Sequence, residues 1–267
     1  MKFIFCRKLA FLTVLCSVDL GPALAHEFWL DPVTYSPRPG ARVPVVQRTG
    51  INFLGDSFPY LRAPSKRFSV IDARGERPIK ATEGDDPAAE VLFANAGLAT
   101  VAYERKADLL VHPTFARMVE IVEVEGLDHV PAQHKALGFP DEAIREHYSR
   151  FAKTLIKVGD GKGRDRAVGL PFEIIVEGNP YELAKEAPIQ VLVLHDGRPV
   201  QNVLVKAFNR ADEKSPRTAR TDAAGRASLG QVPSGEVLLN AVIMMPAARD
   251  SGAEWSSLWA SVTFKRP

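Results

Sequence analysis

Short hydrophobic runs alternate with turn-forming residues along most of the chain, a pattern typical of antiparallel β structure. Between residues 41 and 105 three segments of this kind follow one another, namely RVPVVQR, RFSVIDARGERP and EVLFANAGLATVAYER. The alternation in RFSVID is loose, so the pattern predicts a strand there without showing which side chains face the core. This part of the chain is therefore predicted to form an antiparallel β domain.

The alternation is most regular in APIQVLVLHDGRPVQNVLVKAFN. Apolar residues occupy every second position in two runs, which are Ile189, Val191, Val193 and then Val203, Val205, Ala207. The pair Asp196-Gly197 lies between them and favours a tight hairpin turn. The next segment repeats the pattern, with predicted turns at Ala224-Gly225 and Ser234-Gly235, and WASVTF is predicted to close the sheet as a last strand.

One segment between Pro140 and Gly159 has a different spacing. Its larger apolar side chains recur three or four positions apart, at Ile144, Tyr148, Phe151 and Leu155. Acidic residues precede this run and lysines follow, as the dipole of a helix favours. The spacing predicts a helix that ends at Gly159. The earlier segment FARMVEIVEVEGL fits a strand and a helix equally well.

The charged, glycine-rich segment GDGKGRDRAVG follows the predicted helix and is typical of a linker or surface loop. We therefore predict a mainly all-β protein with two β-sandwich-like domains and one helix near their junction. An N-terminal β domain would span residues 26–158 and end in the helix. Residues 159–170 would form the linker, and residues 171–267 a C-terminal transthyretin-like or Ig-like β-sandwich.

Residues 1–25 have the features of a cleavable signal peptide. The segment has a basic start, an apolar run too short to span a bilayer, and small residues at Ala23 and Ala25 before the expected cleavage site. We therefore expect export to the periplasm and a mature chain that begins at His26. An uncleaved anchor is the alternative, but Asp19 and Pro22 interrupt the apolar segment.

Processing would change the composition in two ways. Both cysteines, Cys6 and Cys16, would be removed, so the mature chain would have no disulfide and no thiolate ligand. Residues 1–25 also contain three of the 34 basic and one of the 32 acidic residues, which leaves 31 of each. Nucleic-acid-binding proteins normally carry a basic excess, so nucleic acid is not an expected partner.

Several motifs together resemble a known family. AHEFWLDP after a signal peptide, EGLDHV, HYSRFAKTLIKVG, NPYEL, DGRPV, TDAAGRASL and WASVTF are similar to a bacterial periplasmic domain-of-unknown-function family described as a periplasmic component of nickel or cobalt uptake. The C-terminal half also resembles transthyretin-like and carboxypeptidase-regulatory-like sandwiches. The resemblance implies a periplasmic β protein that binds a divalent transition metal and hands it to a membrane transporter. It does not imply catalysis.

The chain departs from this family in AVIMMP, where members often have a histidine beside a methionine. Here Met244 and Met245 occupy these positions. A thioether is a soft ligand that suits Cu(I) better than Ni(II) or Co(II), so copper becomes a further candidate. Packing in the core is the alternative role for both methionines, and the more common one.

The candidate metal ligands are His26, His112, His129 and His134. At the N-terminus of a mature chain, the α-amine and Nδ1 of His26 could close a chelate ring on Cu(II), Ni(II) or Zn(II). The alternative is that processing leaves a histidine there without a role. His112 follows an apolar run where a strand is expected to end, and His129 and His134 lie five residues apart across a proline. Glu27 and Asp31 are further candidate oxygen ligands.

Two other functions compete with metal binding. The β-sandwich half is equally suited to a cell-envelope interaction module that presents loops to a protein or glycan and binds no metal. An enzyme is the third possibility, but the sequence has no nucleophile elbow, no H-E-x-x-H motif and no paired metal motif. We therefore expect a metal-binding protein rather than an enzyme.

Overall fold

A computed structural model describes residues 27–267, except for the side chains of residues 213–215. The predicted signal peptide, its cleavage site and His26 lie outside the described residues. Two helices and sixteen strands follow one another in the described part of the chain. The first seven strands are β1 (Glu27–Pro32), β2 (Ala41–Ile51), β3 (Leu54–Phe58), β4 (Ser65–Asp72), β5 (Gly75–Pro78), β6 (Ala89–Phe93) and β7 (Gly97–Thr114).

Both helices follow β7 directly. The remaining elements are α1 (Phe115–Val124), α2 (Val130–Ala136), β8 (Glu142–Val158), β9 (Phe172–Val176), β10 (Gln190–His195), β11 (Arg198–Pro199), β12 (Leu204–Asn209), β13 (Asp212–Arg220), β14 (Arg226–Ser228), β15 (Gly235–Pro246) and β16 (Trp255–Arg266). The protein is thus mainly β, as the sequence predicted.

Three sheets make up the β structure of residues 27–267. The large sheet has eight strands in the order β13-β12-β15-β16-β8-β7-β4-β5. A second sheet has the order β1-β2-β3 with β6 also paired to β2, and the third has the order β11-β10-β14 with β9 also paired to β10. The main core contains residues of all three sheets, so the small sheets and the large one share a single hydrophobic interior.

The predicted helix between Pro140 and Gly159 is wrong, because Glu142–Val158 forms strand β8. β8 pairs antiparallel with β7 from Glu142 to Val158 and parallel with β16 from Glu146 to Thr154. The spacing fits both conformations. A separation of four residues, as between Ile144 and Tyr148 or between Phe151 and Leu155, agrees with a helical turn and is also a multiple of the two-residue period of a strand. Pairing on both sides decides the conformation, and this tertiary interaction overrides the local pattern.

The segment FARMVEIVEVEGL, which fitted both conformations, contains helix α1. Thr114 caps its start by accepting a hydrogen bond from the Arg117 backbone N–H at 3.3 Å. Gly126 follows its end with φ +69°, the left-handed conformation that glycine adopts most readily. Within residues 27–267, neither helix is long and apolar enough to cross a membrane.

A second hydrophobic cluster fixes the two helices on the end of the large sheet. It contains Met118 and Val122 of α1, Val130 of α2, and the indoles of Trp255 and Trp259 on β16. All five are buried, so close packing attaches the helical insertion, residues 115–136, to the sheet. Two of the predicted ligands, His129 and His134, belong to this insertion, so its packing fixes their positions.

Strands from both predicted domains belong to the large sheet. β7 and β8 lie before the predicted linker, whereas β12, β15 and β16 lie after it, and β8 pairs with β16. Residues 159–170 contain no helix or strand, but Asp165 and Leu170 are buried. The two-domain division stays a prediction, and the segment proposed as a linker is anchored in the interior.

Candidate metal centre

His112 lies near the end of β7 and is 1% exposed. Its Nε2 is 2.6 Å from Oε2 of Glu146 on β8, and Oε1 of Glu146 accepts a hydrogen bond from the Ser257 hydroxyl on β16. The Trp259 indole N–H donates to the same hydroxyl at 2.9 Å. The imidazole is therefore oriented by a carboxylate, an arrangement that metal-binding histidines also use, but here it belongs to a buried network across three strands.

His134 lies in α2 and is fully buried. Its Nε2 donates to the Pro140 carbonyl oxygen at 3.0 Å, and its Nδ1 accepts from the Trp255 indole N–H at 3.1 Å. The ring also stacks on Phe115, with the ring centroids 4.7 Å apart. Both nitrogens are thus occupied and the tautomer is fixed, so binding a metal would require loss of one of these hydrogen bonds.

His129 precedes α2 and is exposed. Its Nε2 donates to the Met244 carbonyl oxygen at 3.2 Å, which leaves Nδ1 with a free lone pair for a ligand. The imidazole lines a cavity of about 310 Å³ between the helical insertion, β15 and the loop before β12. The structure describes three of the four histidines predicted as ligands, His112, His129 and His134, and of these His129 lines a cavity.

Three further side chains with metal-binding chemistry line this cavity, which are His195, Met244 and Met245. His195 ends β10, and its imidazole is 31% exposed with Nε2 3.6 Å from the Asp196 carboxylate. Met244 is buried and packs in the second hydrophobic cluster, as the core interpretation expected, whereas Met245 is half-buried. Two histidines and two methionines from segments distant in sequence therefore line one cavity, with the side chains of Met244 and Met245 on opposite faces of β15.

The other predicted ligands are arranged differently. Asp31 is bound to Arg48 at 2.6 Å and Arg210 at 3.2 Å, so it is already neutralised by two guanidinium groups. Among residues 27–267, no group of three or more His, Cys, Asp or Glu side chains is arranged to hold a metal ion. His112, His129 and His134 consequently do not converge on such a group within the described chain.

Glu27, the residue after His26, is buried at the start of β1. Burial raises the pKa of its carboxyl to about 7, despite the opposing effect of Lys206, whose Nζ lies 3.9 Å away. The same ammonium lies 2.6 Å from Glu125. A mostly apolar cavity of about 590 Å³ opens beside these three side chains. Glu27, the first described residue, is thus fixed by burial, and its own carboxyl titrates near neutral pH.

The sequence predicted His129 as a metal ligand, but it did not predict that His195 lies near it. His195 precedes an Asp-Gly turn, where an exposed hairpin residue needs no function, and the cavity forms only when β10 and β15 lie in adjacent sheets. The pair Met244-Met245 was the available signal, because it departs from an otherwise aliphatic strand. It did not indicate which histidines lie close to it.

Comparisons with known proteins identify a family, but the description of that family states no function. A family model described as Domain of unknown function (DUF4198) matches residues 23–244. No curated protein matches the chain. Among solved structures, the tetra-tandem repeat in the extending region of a large adhesion protein is 13% identical with a TM-score of 0.23, and the match covers 90% of this chain and 50% of that one. The D0-D1 domain of Intimin is 12% identical with a TM-score of 0.20, covering 90% and 97%.

Proposed function

This chain belongs to the DUF4198 family of domains of unknown function, and we propose that it is a periplasmic binding protein for a transition metal ion. The cavity lined by His129, His195, Met244 and Met245 carries the proposal. Imidazole and thioether groups are strong ligands for late transition metals, and side chains from three separate segments meet here around a space large enough for an ion.

The ligand chemistry favours copper over nickel and cobalt. Imidazole suits Cu(II), Ni(II) and Zn(II), but a thioether selects the softer Cu(I). Met245 is the more accessible of the two sulfur ligands, because Met244 contributes to the hydrophobic cluster beneath the helices. We therefore expect Cu(I) to bind most tightly, with His129, His195 and Met245 as ligands.

Export through residues 1–25 would place the protein in the periplasm, where a metal-binding protein can supply a membrane transporter. His26 would then carry a free α-amine and form a second chelating group. Glu27 supports this role, because its burial in β1 fixes the chain directly after His26 and so reduces the ordering entropy that binding costs.

The test is a calorimetric titration of the chain from residue 26 to residue 267 with Cu(I), Cu(II), Ni(II), Co(II) and Zn(II). We expect the substitutions His129→Ala, His195→Ala and Met245→Leu each to weaken Cu(I) binding by at least tenfold, or about 1.4 kcal/mol. His147→Ala is the matched control, because His147 is a half-buried histidine of β8 outside the cavity. Unchanged binding in all three cavity variants would overturn the proposed site.

A second version of the protein distinguishes metal binding at His26 from metal binding in the cavity. Adding Gly-Ser before His26 removes the terminal chelate but leaves His129 and His195 unchanged. Loss of Cu(II) or Ni(II) binding with retained Cu(I) binding would identify two independent sites. If none of the five ions binds to the wild-type chain, the metal-independent envelope module should replace metal binding as the proposed function.

A further inference from the structure

Lys153 is a lysine in the interior of the protein. It lies in the middle of β8, in the centre of the large sheet, and its side chain is 1% exposed. Phe151 and Leu155, two positions before and after it, are core residues on the same face of the strand. A charged ammonium is costly to bury, so its partners determine what this side chain does.

Two carboxyl groups surround the Lys153 amine. Nζ lies 3.0 and 3.1 Å from the two oxygens of Asp165 and 3.0 Å from Oε1 of Glu173. Asp165 belongs to the irregular segment after β8, whereas Glu173 belongs to β9 of a different sheet. The side chains of both acids are at most 2% exposed. An amine, the carboxyl that it contacts and a second carboxyl are therefore enclosed together, away from water.

The Asp165 carboxyl is also surrounded by backbone donors. The Arg166 N–H donates to Oδ1 and the Val176 N–H donates to Oδ2, each at 2.8 Å. Each carboxyl oxygen thus has one N–H donor, and the donor on the oxygen that stays can stabilise the negative charge that this oxygen gains in a tetrahedral intermediate of acyl transfer. Burial raises the pKa of Asp165, an effect that Lys153 opposes, and so favours the uncharged acid that an amine can attack.

We propose that Lys153 and Asp165 form an intramolecular isopeptide bond, with Glu173 as the proton-transfer group. Glu173 accepts a proton from the Lys153 ammonium, and the neutral Nζ attacks the carboxyl carbon of Asp165. Glu173 then transfers this proton to the departing hydroxyl, which leaves as water, and accepts the second proton that Nζ loses when the C–N bond becomes an amide, so Glu173 ends protonated. The C–N bond forms, one C–O bond breaks and one water molecule leaves. No oxidant or cofactor is needed, because no atom changes its oxidation state.

The contacts meet the requirements of this reaction. Enclosing reacting groups in near-attack contact removes most of the entropic cost of bringing them together, and exclusion of water disfavours hydrolysis of the product. Residues 26–267 contain no cysteine, so a disulfide cannot form in the exported chain. The isopeptide bond would supply a covalent link from the centre of the large sheet to the segment that leads into β9.

The decisive measurement is the intact mass of the folded, exported protein. We expect it to be lower than the mass of residues 26–267 by one water molecule. Because Asp160-Gly161 and Asp196-Gly197 can lose water as succinimides, the position must be shown. Reductive methylation under denaturing conditions should label every free lysine but not Lys153, and a protease digest should yield a branched peptide joining Lys153 to Asp165.

Two variants test the chemistry. Glu173→Gln keeps the size of the side chain but removes the proton-transfer group, and we expect a folded protein with the full mass. Asp165→Asn should form the same bond with loss of ammonia instead of water. Glu177→Gln, an acid in the loop after β9, is the control and should lose water as the wild type does. A full wild-type mass with labelled Lys153 would overturn the proposal, as would unchanged loss of water at Lys153 in Glu173→Gln.

Discussion

Two buried lysines of this protein each lie between two carboxyl groups, but their surroundings differ. Lys153 has both acids at 3.0 Å, and each acid also accepts backbone hydrogen bonds. Lys206 is 2.6 Å from Glu125 but 3.9 Å from Glu27, and the group lies beside a cavity of about 590 Å³. The first, closed cluster is enclosed, and each of its acids has several hydrogen-bond partners. The second, open cluster borders a cavity, and its cation lies 3.9 Å from Glu27.

This difference shows that burial alone does not determine how a buried ion cluster behaves. In the closed cluster, short contacts and backbone donors compensate the desolvation of the charges, so the groups are held in one arrangement. In the open cluster, burial raises the pKa of Glu27 to about 7 and also raises that of Glu125. Burial raises the pKa of Asp165 in the closed cluster as well, but there the short contacts hold the acid against the amine. The closed cluster therefore favours chemistry between its members, and the open cluster responds to pH.

The largest effect is expected from Lys153→Met, which keeps the length of the side chain but removes the amine. The variant can form neither the isopeptide bond proposed above nor the ion pairs that precede it, and removing one partner of a buried ion pair alone costs about 3–5 kcal/mol. Urea denaturation at pH 7 measures this loss in the free energy of unfolding. Lys162→Met, at an exposed lysine, is the control. A loss below about 1 kcal/mol would contradict the role given to Lys153.

The pH response of the open cluster is tested by Glu27→Gln. The pKa of Glu27 is about 7 in the folded protein and 4.5 in its ordinary state, so the folded state binds the proton more tightly. The wild type should therefore lose stability as pH rises from 4.5 to 7, and none of this loss should occur in the variant. The difference in unfolding free energy between the two proteins should grow by about 3 kcal/mol over this range.

Denaturation at several pH values from 4 to 8 measures this difference. Glu90→Gln, at an exposed position of β6, serves as the control and should follow the wild-type curve. A constant difference between Glu27→Gln and the wild type across this range would show that Glu27 has an ordinary pKa.

The sequence predicted most of the β structure, because strands such as β10 and β16 have regular alternation and clear turns. It failed at β8, where four-residue spacing agrees with both a helix and a strand and only pairing with β7 and β16 decides. The lysine in FAKTLI and the glutamate in PFEIIV are charges inside apolar runs, and they were the available signal of the closed cluster. Their partnership was not predictable, because it depends on how β9 packs against the large sheet.

The candidate metal centre was predictable only in part, for the same reason. His129 and the methionine pair stood out by composition, but the helix α2 that orients His129 and His134 was not predicted. Whether an imidazole is free depends on its hydrogen bonds. Both nitrogens of His134 are occupied, whereas His129 keeps one for a ligand. Residue type therefore indicates the candidates, and local geometry selects among them.

The smallest effect is expected from Lys206→Met, and its pH dependence makes the comparison sharper. Lys206 lowers the pKa of both Glu27 and Glu125, so its removal should let both acids keep their protons to higher pH. The free energy of unfolding should fall by about 1–3 kcal/mol at pH 7, which is less than for Lys153→Met. The loss is smaller because the two acids can take up protons and because the cavity gives them access to water.

Denaturation of Lys206→Met at pH 5 and pH 8 distinguishes this explanation from a simple loss of packing. Glu27, with a pKa of about 7, is protonated at pH 5 and needs no cation, and burial also favours the protonated form of Glu125. At pH 8 the folded variant must either hold the protons or bury unpaired charge. The destabilisation should therefore be larger at pH 8, because the unfolded chain releases the protons that the folded variant retains. An equal loss at both values would mean that Lys206 acts through its aliphatic chain, and that the open cluster owes little to its charges.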